Sequence, residues 1–506
     1  MTNEKPGAAA PDLKRAIIIG GGPAGLTAAV ELARLSVPVT VLERDRLVGG
    51  ISRTETYKGY RFDIGGHRFF TKIGEVERFW HDVLGADFIT RPRISRIFYQ
   101  GKFFDYPLKA MNALSNLGLL TAISAVISYG QSQLFPYPRE DTFEEWVSNR
   151  FGKKLYQIFF KTYTEKVWGI PCSEIRAEFA AQRIHGLSLP VAVWNSVFGP
   201  GQGKDVVKTL IEQFEYPRHG PGMMWERAAQ FVAEHGGEVR LQTDVVSVRH
   251  AGGRVAEVVT RGAAPGTAGS GDGPAHTETL TGDAFISTMP ISELIFKLDP
   301  PAPLEVVAAS QGLSYRDFIS VVLIVKQPNL FADNWIYIHE PSVRVGRIQN
   351  FKNWSPEMVP DPQMTALGLE YFTTEGDDVW QMSDAALIEL GKREMDAIGL
   401  VNSADVVDGT VVRQLKAYPV YNSTYAGFLA TIKNYLAGFT NLQTVGRNGL
   451  HKYNNQDHSM LTAMLAVRNL QGEQHDVWNV NTERSYHEEI RIPHDALSTD
   501  EAGADT

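Results

Sequence analysis

The architecture of the chain is indicated by residues 16–45, "AIIIGGGPAGLTAAVELARLSVPVTVLERD". A short apolar run rich in isoleucine is followed by a glycine-rich turn, a stretch with the apolar spacing of a helix, and a second apolar run. This order of strand, turn, helix and strand is typical of a βαβ unit with parallel strands. The segment therefore predicts the start of a Rossmann-type α/β domain.

The glycines of this segment have the spacing of a dinucleotide-binding turn. Gly20 permits the tight turn, Gly22 lets the backbone approach a pyrophosphate, and Gly25 lets helix and strand pack closely. The start of the helix then faces the phosphate charge. Glu43 ends the second strand 18 residues past Gly25, where a carboxylate can hydrogen-bond a ribose hydroxyl. The predicted cofactor-binding residues of this unit are Gly20, Gly22, Pro23, Ala24, Gly25, Glu43 and Arg44.

A second glycine turn directly after the acid favours FAD over NAD. In "ERDRLVGGISRT" (43–54), Gly49 and Gly50 are followed by Ser52, and all three are predicted to bind the cofactor. A longer cofactor that lies across the sheet needs this additional close approach of backbone, whereas a nicotinamide cofactor does not. No Cys or His stands where it could tether a flavin, so non-covalent FAD is predicted.

Two further stretches are predicted to contact FAD. The run "TDVVSV" is expected to hold the adenine through backbone groups at Val245 and Val246, with a purely structural hairpin as the alternative. In "FDIGGHRFF" (62–70), Gly66 and His67 form a turn that places an imidazole beside the isoalloxazine edge. The alternative for His67 is a structural histidine whose hydrogen bonds are satisfied inside the protein.

The polar run "KYNNQDHSM" (452–460) precedes an apolar helical stretch. A strand over "NLQTVGR" (441–447) and a helix that begins at about Gln456 would direct backbone amides at the electron-rich edge of a flavin. Simple capping of the helix by Asn or Asp is the alternative. The predicted cofactor-binding residues here are Gly446, Arg447, Asn455, Gln456, Asp457, Ser459 and Met460.

Length and composition limit the possible classes of protein. A chain of 506 residues is expected to form two or three domains, and its net charge of −9 argues against a nucleic-acid partner. A single cysteine, Cys172, excludes an internal disulfide and favours a reducing cytoplasm. The first 15 residues lack the apolar core of a signal peptide. The apolar stretch 113–129 predicts a buried helix; contact with the inner membrane surface is the alternative.

The predicted fold class is α/β, an FAD-binding Rossmann-type domain with an inserted helical and β substrate domain. A low-complexity stretch within the chain, 263–282, is predicted to be a disordered loop. The predicted divisions are a flexible tail (1–14), three parts of the FAD-binding domain (15–104, 205–291 and 413–480), a helical part of the substrate domain (105–204), a mainly β part of it (292–412), and a C-terminal tail (481–506).

Four stretches resemble the UDP-galactopyranose mutases, within the wider fold group of amine oxidases and protoporphyrinogen oxidase. "DIGGHRFF" (63–70) resembles their turn beside the flavin, and "YTEKVWGIP" (163–171) resembles a Tyr-x-x-Lys-x-Trp signature of their helical domain. "GRIQNFKNWSP" (346–356) is similar to the segment that supplies an arginine to the substrate diphosphate. "NNQDHSM" (454–460) is similar to their closing flavin motif and is the most specific of the four.

The resemblance implies a flavoenzyme that acts on a nucleotide- or lipid-linked sugar. In the mutases, N5 of reduced FAD attacks the anomeric carbon, the pyranose recloses as a furanose, and no net redox occurs. A reductant such as NAD(P)H is then expected. The implied catalytic residues are His67, Arg347, Tyr418 and Tyr453. The implied substrate-binding residues are Trp168, Arg218, Trp225, Arg347, Asn350, Tyr418 and Tyr453.

One departure from the mutase pattern keeps an alternative open. Where the mutases carry a second substrate arginine, this chain has Glu215 or, in another alignment, Gln213, and Arg218 is displaced. A glutamate would repel a diphosphate. The alternative is therefore an oxidase, dehydrogenase or desaturase of the same fold group with net redox, and a non-catalytic FAD-binding protein is the third class. The sequence leaves the oligomeric state open.

Overall fold

The computed structural model describes residues 13–106, 108, 110–177, 207–210, 213–262, 276–481 and 489–492. The helices are α1 (Pro23–Arg34), α2 (Gly74–Leu84), α3 (Ala110–Leu117), α4 (Leu119–Leu134), α5 (Phe143–Phe151), α6 (Lys153–Tyr156), α7 (Thr162–Trp168), α8 (Gly222–Glu234), α9 (Ile291–Phe296), α10 (Leu304–Gln311), α11 (Phe351–Trp354), α12 (Asp384–Ala397), α13 (Tyr425–Leu436) and α14 (Gln456–Leu470).

The strands come from all parts of the described chain. They are β1 (Ala16–Ile19), β2 (Val39–Leu42), β3 (Thr54–Tyr57), β4 (Tyr60–Asp63), β5 (Phe88–Pro92), β6 (Ser95–Tyr99), β7 (Lys102–Asp105), β8 (Val207–Leu210), β9 (Gln213–Pro217), β10 (Glu238–Arg240), β11 (Thr243–Ala251), β12 (Arg254–Gly262), β13 (His276–Thr281), β14 (Ala284–Ser287), β15 (Leu298–Asp299), β16 (Tyr315–Val325), β17 (Trp335–Ile338), β18 (Arg347–Asn350), β19 (Thr365–Thr373), β20 (Val406–Pro419), β21 (Leu442–Thr444) and β22 (Glu489–Ile492).

A five-stranded parallel sheet in the order β10-β2-β1-β14-β21 is the base of the nucleotide-binding region. Ile17 of β1 is in register with Thr40 on one side and Phe285 on the other. Every residue of β1 and β2 is buried, as expected for parallel strands covered on both faces. Helix α1 packs on this sheet between α14 and α8, so the predicted βαβ unit is confirmed.

A seven-stranded sheet in the order β20-β16-β19-β18-β17-β6-β7 forms the second layer of the molecule. Strand β16, next to the edge strand β20, pairs antiparallel with β19, Val321 opposite Leu369, and with β20 on its other side. Helix α12 covers one face of this sheet, and the opposite face looks toward the parallel sheet. The fold is thus a parallel nucleotide-binding sheet facing a larger, mainly antiparallel one.

The structure differs from the predicted divisions at four places. Strands β6 and β7 belong to the seven-stranded sheet, so the boundary at 104 falls too late, and β20 continues in that sheet to Pro419, past the boundary at 412. Residues 276–281 form β13 and pair with β12, so the prediction of a disordered loop is wrong there, while 263–275 lie outside the described residues. In the predicted C-terminal tail, β22 pairs with β8.

The apolar stretch 113–129 is not a buried helix. It is divided between α3 and α4 by Gly118, whose φ is 80°, and the large apolar side chains of α4 point outward. Leu120 is 84% exposed and Val126 is 59% exposed. The apolar composition predicted helical structure correctly, but it did not predict that the apolar side chains of α4 would face solvent. Within the described residues, no helix combines the length and hydropathy that a membrane crossing needs.

Candidate functional site

A cavity of about 760 Å³ lies where the carboxyl ends of the parallel strands face the seven-stranded sheet. Ligands of open α/β sheets bind at this edge, and the volume is in the range of cofactor sites. The predicted site residues that line the cavity are Gly20, Gly22, Pro23, Ala24, Glu43, Arg44, Gly50, Ser52, Gly66, His67, Val245, Arg347, Tyr418, Gly446, Arg447, Tyr453, Asn455, Gln456, Asp457 and Ser459.

Two long helices begin at this cavity. Helix α1 starts after Gly22, and α14 starts at Gln456 with Asn455 as its N-cap, as the sequence predicted. In neither helix does the N-cap side chain accept a hydrogen bond from the first turn, so the amides of Ala24 and Gly25 in α1 and of Gln456 and Asp457 in α14 stay available. The amide of His458 donates instead to Oδ1 of Asp457 at 2.9 Å. The positive ends of two helix dipoles therefore meet at one cavity and favour a negatively charged or electron-rich ligand.

The glycines leave a space that fits a pyrophosphate. A Cβ atom added to Gly22 would meet only the backbone of Gly50, at 3.8 Å, in the cavity wall. At Gly25 the same atom would lie 1.9 Å from the carbonyl oxygen of Gly20, and Gly20 itself has a φ of +101°. Gly22 thus opens the wall toward a ligand, while Gly20 and Gly25 permit the turn and the close approach of helix and strand.

Glu43 is fixed in the cavity wall by backbone donors. Its carboxylate accepts hydrogen bonds from the amide of Gly21, at 2.7 Å, and from the amide of Asp45, at 2.8 Å. The residue is buried and lines the cavity. A carboxylate held in this way beside the glycine turn fits a ribose hydroxyl donor.

Several polar atoms in the cavity wall have no partner among the described residues. Gln456 donates through Nε2 to the carbonyl of Arg68 at 3.2 Å, but its Oε1 is buried and unpaired. Arg447 donates through Nη1 to the carbonyl of Asn454 at 3.2 Å, while its Nε and Nη2 are buried and unpaired. Because buried polar atoms are normally hydrogen-bonded, these orphans indicate a ligand, and they fit the polar groups of FAD and of an anionic substrate.

Arg347 enters the cavity as half of a buried ion pair. Its Nε lies 2.6 Å from Oε2 of Glu370, a side chain that is only 1% exposed. Gln349 donates from Nε2 to the other oxygen of Glu370 at 2.7 Å, and Trp354 donates to Oε1 of Gln349 at 3.1 Å. Burial raises the pKa of Glu370 and the Arg347 charge opposes that rise. The pair holds the guanidinium in one orientation and neutralises part of its charge.

The two predicted tyrosines stack on each other and on an arginine. Tyr418 and Tyr453 have ring centroids 5.6 Å apart at an interplanar angle of 20°. The guanidinium carbon of Arg447 lies 4.1 Å from the centroid of Tyr453 and 4.9 Å from that of Tyr418. Nη2 of Arg347 approaches the Tyr418 hydroxyl at 3.5 Å. Two arginines and two tyrosines therefore form one polar surface of the cavity, here called the arginine–tyrosine cluster.

His67 is held as a neutral hydrogen-bonding group. Its Nε2 lies 3.0 Å from the carbonyl of Ile64 and its Nδ1 lies 3.3 Å from the Ser52 hydroxyl. Desolvation, together with the Arg447 and Arg347 charges, lowers the pKa of His67 to about 4. At neutral pH the imidazole is therefore uncharged. In that state it suits positioning within the flavin turn better than donation of a proton to substrate.

Four predicted substrate residues do not line the cavity. Arg218 pairs with Asp87 at 3.4 Å and Glu357 at 2.9 Å outside it. Trp225 is fully buried in the core against Gly49, and Trp168 contacts the ring of Tyr418 edge-on and that of Tyr453 at a tilt. Asn350 projects away from the cavity because Arg347 and Gln349 occupy the other face of β18. The structure thus places these four side chains outside the cavity lining.

Glu215 and Gln213 do not face the cavity either. On β9 the alternate residues Phe214 and Tyr216 are buried, so the two polar side chains lie on the opposite face. Oε2 of Glu215 lies 3.2 Å from Nε2 of His81. The carboxylate that the sequence suggested would repel a diphosphate is thus outside the site.

The remaining predicted cofactor residues form a layer behind the cavity. Gly25 and Gly49 permit close packing, since a Cβ on Gly49 would lie 3.0 Å from the Trp225 ring. The Met460 sulfur accepts a hydrogen bond from Trp80 at 3.1 Å in the core. Val246 lies at a bulge of β11, between Val245, which lines the cavity, and Ser247, and it does not line the cavity itself. The packing role predicted for Gly25 agrees with the structure, and Gly49, Val246 and Met460 lie outside the cavity lining.

Sequence reasoning anticipated an aromatic pocket that includes the segment 103–108, but it missed Glu370 and the aromatic residues of the seven-stranded sheet and α11. Trp335, Tyr337, Trp354 and Tyr106 line the cavity beside Arg347. A charged residue inside the apolar strand "ALGLEYF" was a signal for Glu370, because a buried carboxylate is rare unless it is paired. The aromatic residues carried no comparable signal, since aromatic side chains in strands are most often part of the core.

The Tyr-x-x-Lys-x-Trp stretch joins α7 to the seven-stranded sheet. Nζ of Lys166 donates to three backbone carbonyls at the end of β17 and in the connection to β18, those of Ile338, Glu340 and Val345, at 3.3, 2.7 and 3.2 Å. The Tyr163 ring stacks on His339 with centroids 5.0 Å apart. The motif is thus explained by the attachment of the helical part to the sheet.

Acid should weaken this attachment through His339. Desolvation, aided by the Lys166 charge, lowers the pKa of His339 from 6.5 to about 3. Between pH 6.5 and pH 3 His339 binds fewer protons in the folded state than in the unfolded state. The neutral imidazole therefore contributes its full share of stability above pH 6.5, and this contribution is lost as pH falls toward 3. In urea unfolding at a series of pH values, the parent should lose stability more steeply over this range than His339→Phe, which keeps the stacking. Parallel pH profiles would contradict this, and the exposed His276→Phe is the control.

A family model described as "Flavin containing amine oxidoreductase" matches residues 23–451. The chain is 25% identical over 273 residues to a 1-hydroxycarotenoid 3,4-desaturase of Flavobacterium sp. (strain P99-3), covering 49% of this chain and 54% of that protein. It is 28% identical over 177 residues to a probable UDP-galactopyranose mutase of Klebsiella pneumoniae, covering 32% of this chain and 43% of that protein. The matches thus span about half of these relatives or less.

The fold is similar to that of a solved structure of reduced UDP-galactopyranose mutase. The two superpose with a TM-score of 0.78 at 22% identity, covering 93% of this chain and all of the other. Together with the family match, this confirms the predicted fold class and the flavin cofactor. None of these comparisons supports NAD(P)H, which stays a prediction, as do the roles of individual residues.

Proposed function

The chain belongs to the flavin-containing amine oxidoreductase family, and from that premise we propose that it is a mutase-type enzyme acting on a sugar bound to phosphate. The proposed reaction interconverts the pyranose and furanose forms of a nucleotide- or lipid-linked sugar without net redox. The arginine–tyrosine cluster is the observation that carries the proposal. It places Arg347, Arg447, Tyr418 and Tyr453 at one surface of the flavin cavity.

The cluster suits a phosphate that leaves and returns. Reduced FAD, when bound, supplies an electron-rich centre that can react with an anomeric carbon. Cleavage of the bond between sugar and phosphate develops negative charge on the phosphate oxygens, and guanidinium groups stabilise that charge by paired hydrogen bonds. Arg447 has two buried N–H positions without a partner among the described residues, and the tyrosine hydroxyls add donors.

The other residues of the site position these groups and exclude water. Glu370 orients Arg347 through the ion pair, and Trp168 supports the tyrosines from behind. The stacked rings of Tyr418 and Tyr453 lower the local dielectric, which strengthens the interaction of phosphate with the arginines. Neutral His67 adds no charge that would compete with these groups for the phosphate.

Anaerobic turnover tests the proposal directly. The purified holoprotein would be reduced with dithionite and incubated with nucleotide-linked and lipid-phosphate-linked hexoses, and the products would be separated by chromatography. Pyranose-to-furanose conversion that requires reduced flavin and leaves it reduced is the expected result. Oxidised sugar or stoichiometric reoxidation of the flavin without ring contraction would overturn it.

Replacement of Arg447 by methionine should weaken phosphate binding without removing FAD. The loss of charge-assisted hydrogen bonds is expected to raise the dissociation constant for UDP or pyrophosphate by about 10- to 100-fold. The measurement is a titration of flavin absorbance or fluorescence, with FAD content determined separately. Arg218→Met is the matched control, because Arg218 pairs with Asp87 and Glu357 away from the cavity. Loss of FAD with unchanged UDP affinity would assign Arg447 to the cofactor instead.

A net redox reaction on an apolar substrate is the second candidate. The aromatic wall of Tyr106, Trp335, Tyr337 and Trp354 supports it, as does the neutralisation of Arg347 by Glu370. The sequence similarity to a 1-hydroxycarotenoid 3,4-desaturase points the same way. Flavin reduction by an alkene, amine or sugar under anaerobic conditions, with no binding of UDP or pyrophosphate, would favour this candidate.

A further inference from the structure

Helix α4 presents its apolar side chains to solvent. The exposed residues recur at helical spacing along one face, and they are Leu119, Leu120, Ile123, Val126, Ile127 and Leu134. Of the sixteen residues of the helix only Ala125 is buried. A surface helix normally turns its polar face outward, so this orientation is the reverse of the usual one. An exposed apolar face of this extent is typical of an interaction surface.

The helix itself carries no charge, and basic residues lie at both of its ends and beside its middle. Its sequence, "LLTAISAVISYGQSQL", contains no Asp, Glu, Lys or Arg. Lys102 reaches the turn before it, where Nζ donates to the carbonyl of Asn116 at 2.7 Å. The amide of Lys154 donates to the Ser128 hydroxyl at 3.0 Å, which places the start of α6, with exposed Lys153, against the middle of α4.

The segment that follows α4 has the composition of an interfacial anchor. Phe135 is 82% exposed and Tyr137 is 38% exposed, and exposed Arg139 follows them. The next acid along the chain, Glu140, is paired with Arg150 at 2.7 Å. Aromatic rings and basic side chains beside an apolar face match the interface of an anionic bilayer, where rings lie at the headgroups and cations meet lipid phosphates.

We propose that the outer face of α4, with Phe135 and the flanking lysines, docks the protein on an anionic lipid surface. The helix lies in the plane of the interface, because none of the described helices is suited to span a bilayer. The cations beside the apolar face favour anionic lipid over a second copy of this chain, because a symmetric dimer through α4 would bring the same basic residues face to face. This surface is independent of the proposed chemistry at the flavin cavity.

Flotation of the full-length holoprotein with vesicles tests the surface. Vesicles of phosphatidylcholine mixed with phosphatidylglycerol should carry the parent protein, and vesicles of phosphatidylcholine alone should carry less. The variant Leu120→Gln/Val126→Gln/Ile127→Gln should bind at least about tenfold more weakly, because three apolar side chains no longer enter the interface. Since all three side chains are exposed, the variant is expected to fold and to keep its flavin spectrum.

Two control variants show whether the α4 face itself binds lipid. Leu304→Gln/Val407→Gln alters side chains that are 87% and 53% exposed elsewhere, and should bind vesicles like the parent. Lys153→Gln/Lys154→Gln should reduce binding to anionic vesicles and leave binding to neutral ones unchanged. Absence of parent binding to anionic vesicles would overturn the proposal. Equal binding of the parent and the α4 variant to anionic vesicles would also overturn it. A further contradicting result would be a parent dimer in gel filtration that the α4 variant abolishes, with no vesicle binding by either protein.

Discussion

Replacement of Gly25 by alanine is expected to destabilise the folded protein strongly. The new Cβ would lie 1.9 Å from the carbonyl oxygen of Gly20 and 3.1 Å from its carbonyl carbon. Both are backbone atoms, and Gly20 is held in place by the hydrogen bond that its amide donates to the carbonyl of Leu42 at 2.8 Å. The overlap should lower the free energy of unfolding by about 3 kcal/mol or more. Urea unfolding of the apoprotein, followed by circular dichroism, measures the change.

Gly22→Ala is the matched substitution, with the opposite expected outcome. Its Cβ would lie 3.8 Å from the nearest atom, the Cα of Gly50, and its φ of −81° suits any residue. The apoprotein should therefore unfold like the parent, while the methyl group fills the space of the cofactor pyrophosphate and FAD is lost. Gly25→Ala apoprotein as stable as the parent would contradict the close approach of α1 and β1. A Gly22→Ala holoprotein with a normal flavin spectrum would contradict the assigned position of the pyrophosphate.

These glycines illustrate what the sequence could predict. The turn from β1 into α1 depends on backbone conformation and on contacts within a few residues, so the spacing of Gly20, Gly22 and Gly25 was sufficient to anticipate its geometry. The start of α14 at Gln456 was predictable for the same reason, since an Asn followed by a helical apolar pattern is a local signal. Both helices reach the same cavity because parallel strands bring their carboxyl ends to one edge.

Residues whose position depends on pairing between distant strands could not be predicted. Glu215 was placed near the substrate from the resemblance to the mutases, with Arg218 as a displaced neighbour, but the pairing of β9 with β5 sets which side chains of β9 face inward. A shift of one residue along a strand exchanges its two faces, and no local signal fixes that register. Asn350 shows the same effect on β18, where its neighbours Arg347 and Gln349 take the cavity face.

The orientation of α4 was unpredictable for a different reason. An apolar pattern indicates that a helix has an apolar face, but it does not indicate whether the protein interior or something outside the protein covers that face. The aromatic wall of the cavity was missed for a related reason, since Trp335 and Trp354 have the same sequence pattern in a core as in a binding site. The sequence did carry a signal for Glu370, because it is a carboxylate in an apolar strand. Its partner Arg347 is 23 residues earlier in the chain.

Replacement of Arg347 by methionine should destabilise the protein and also remove phosphate binding. Glu370 would lose the cation that lies 2.6 Å away while remaining buried. An uncompensated buried carboxylate is expected to lower the free energy of unfolding by about 3–5 kcal/mol. Burial already raises the pKa of Glu370 above its ordinary value of 4.5. Because the folded state then binds the proton more tightly, the deficit should grow as pH rises above 4.5 and shrink on acidification.

The double variant Arg347→Met/Glu370→Gln separates the structural role of the pair from its role in binding. The amide that replaces the carboxylate carries no charge, so the double variant should recover most of the stability that Arg347→Met loses, while UDP or pyrophosphate still binds weakly. Glu370→Gln alone should bind these anions more tightly than the parent, because the Arg347 charge is no longer neutralised. Denaturant unfolding and flavin-monitored titration give the two readouts. Weaker anion binding by Glu370→Gln would mean that Glu370 acts mainly by orienting Arg347, and unchanged binding in all three variants would exclude Arg347 from the anion site.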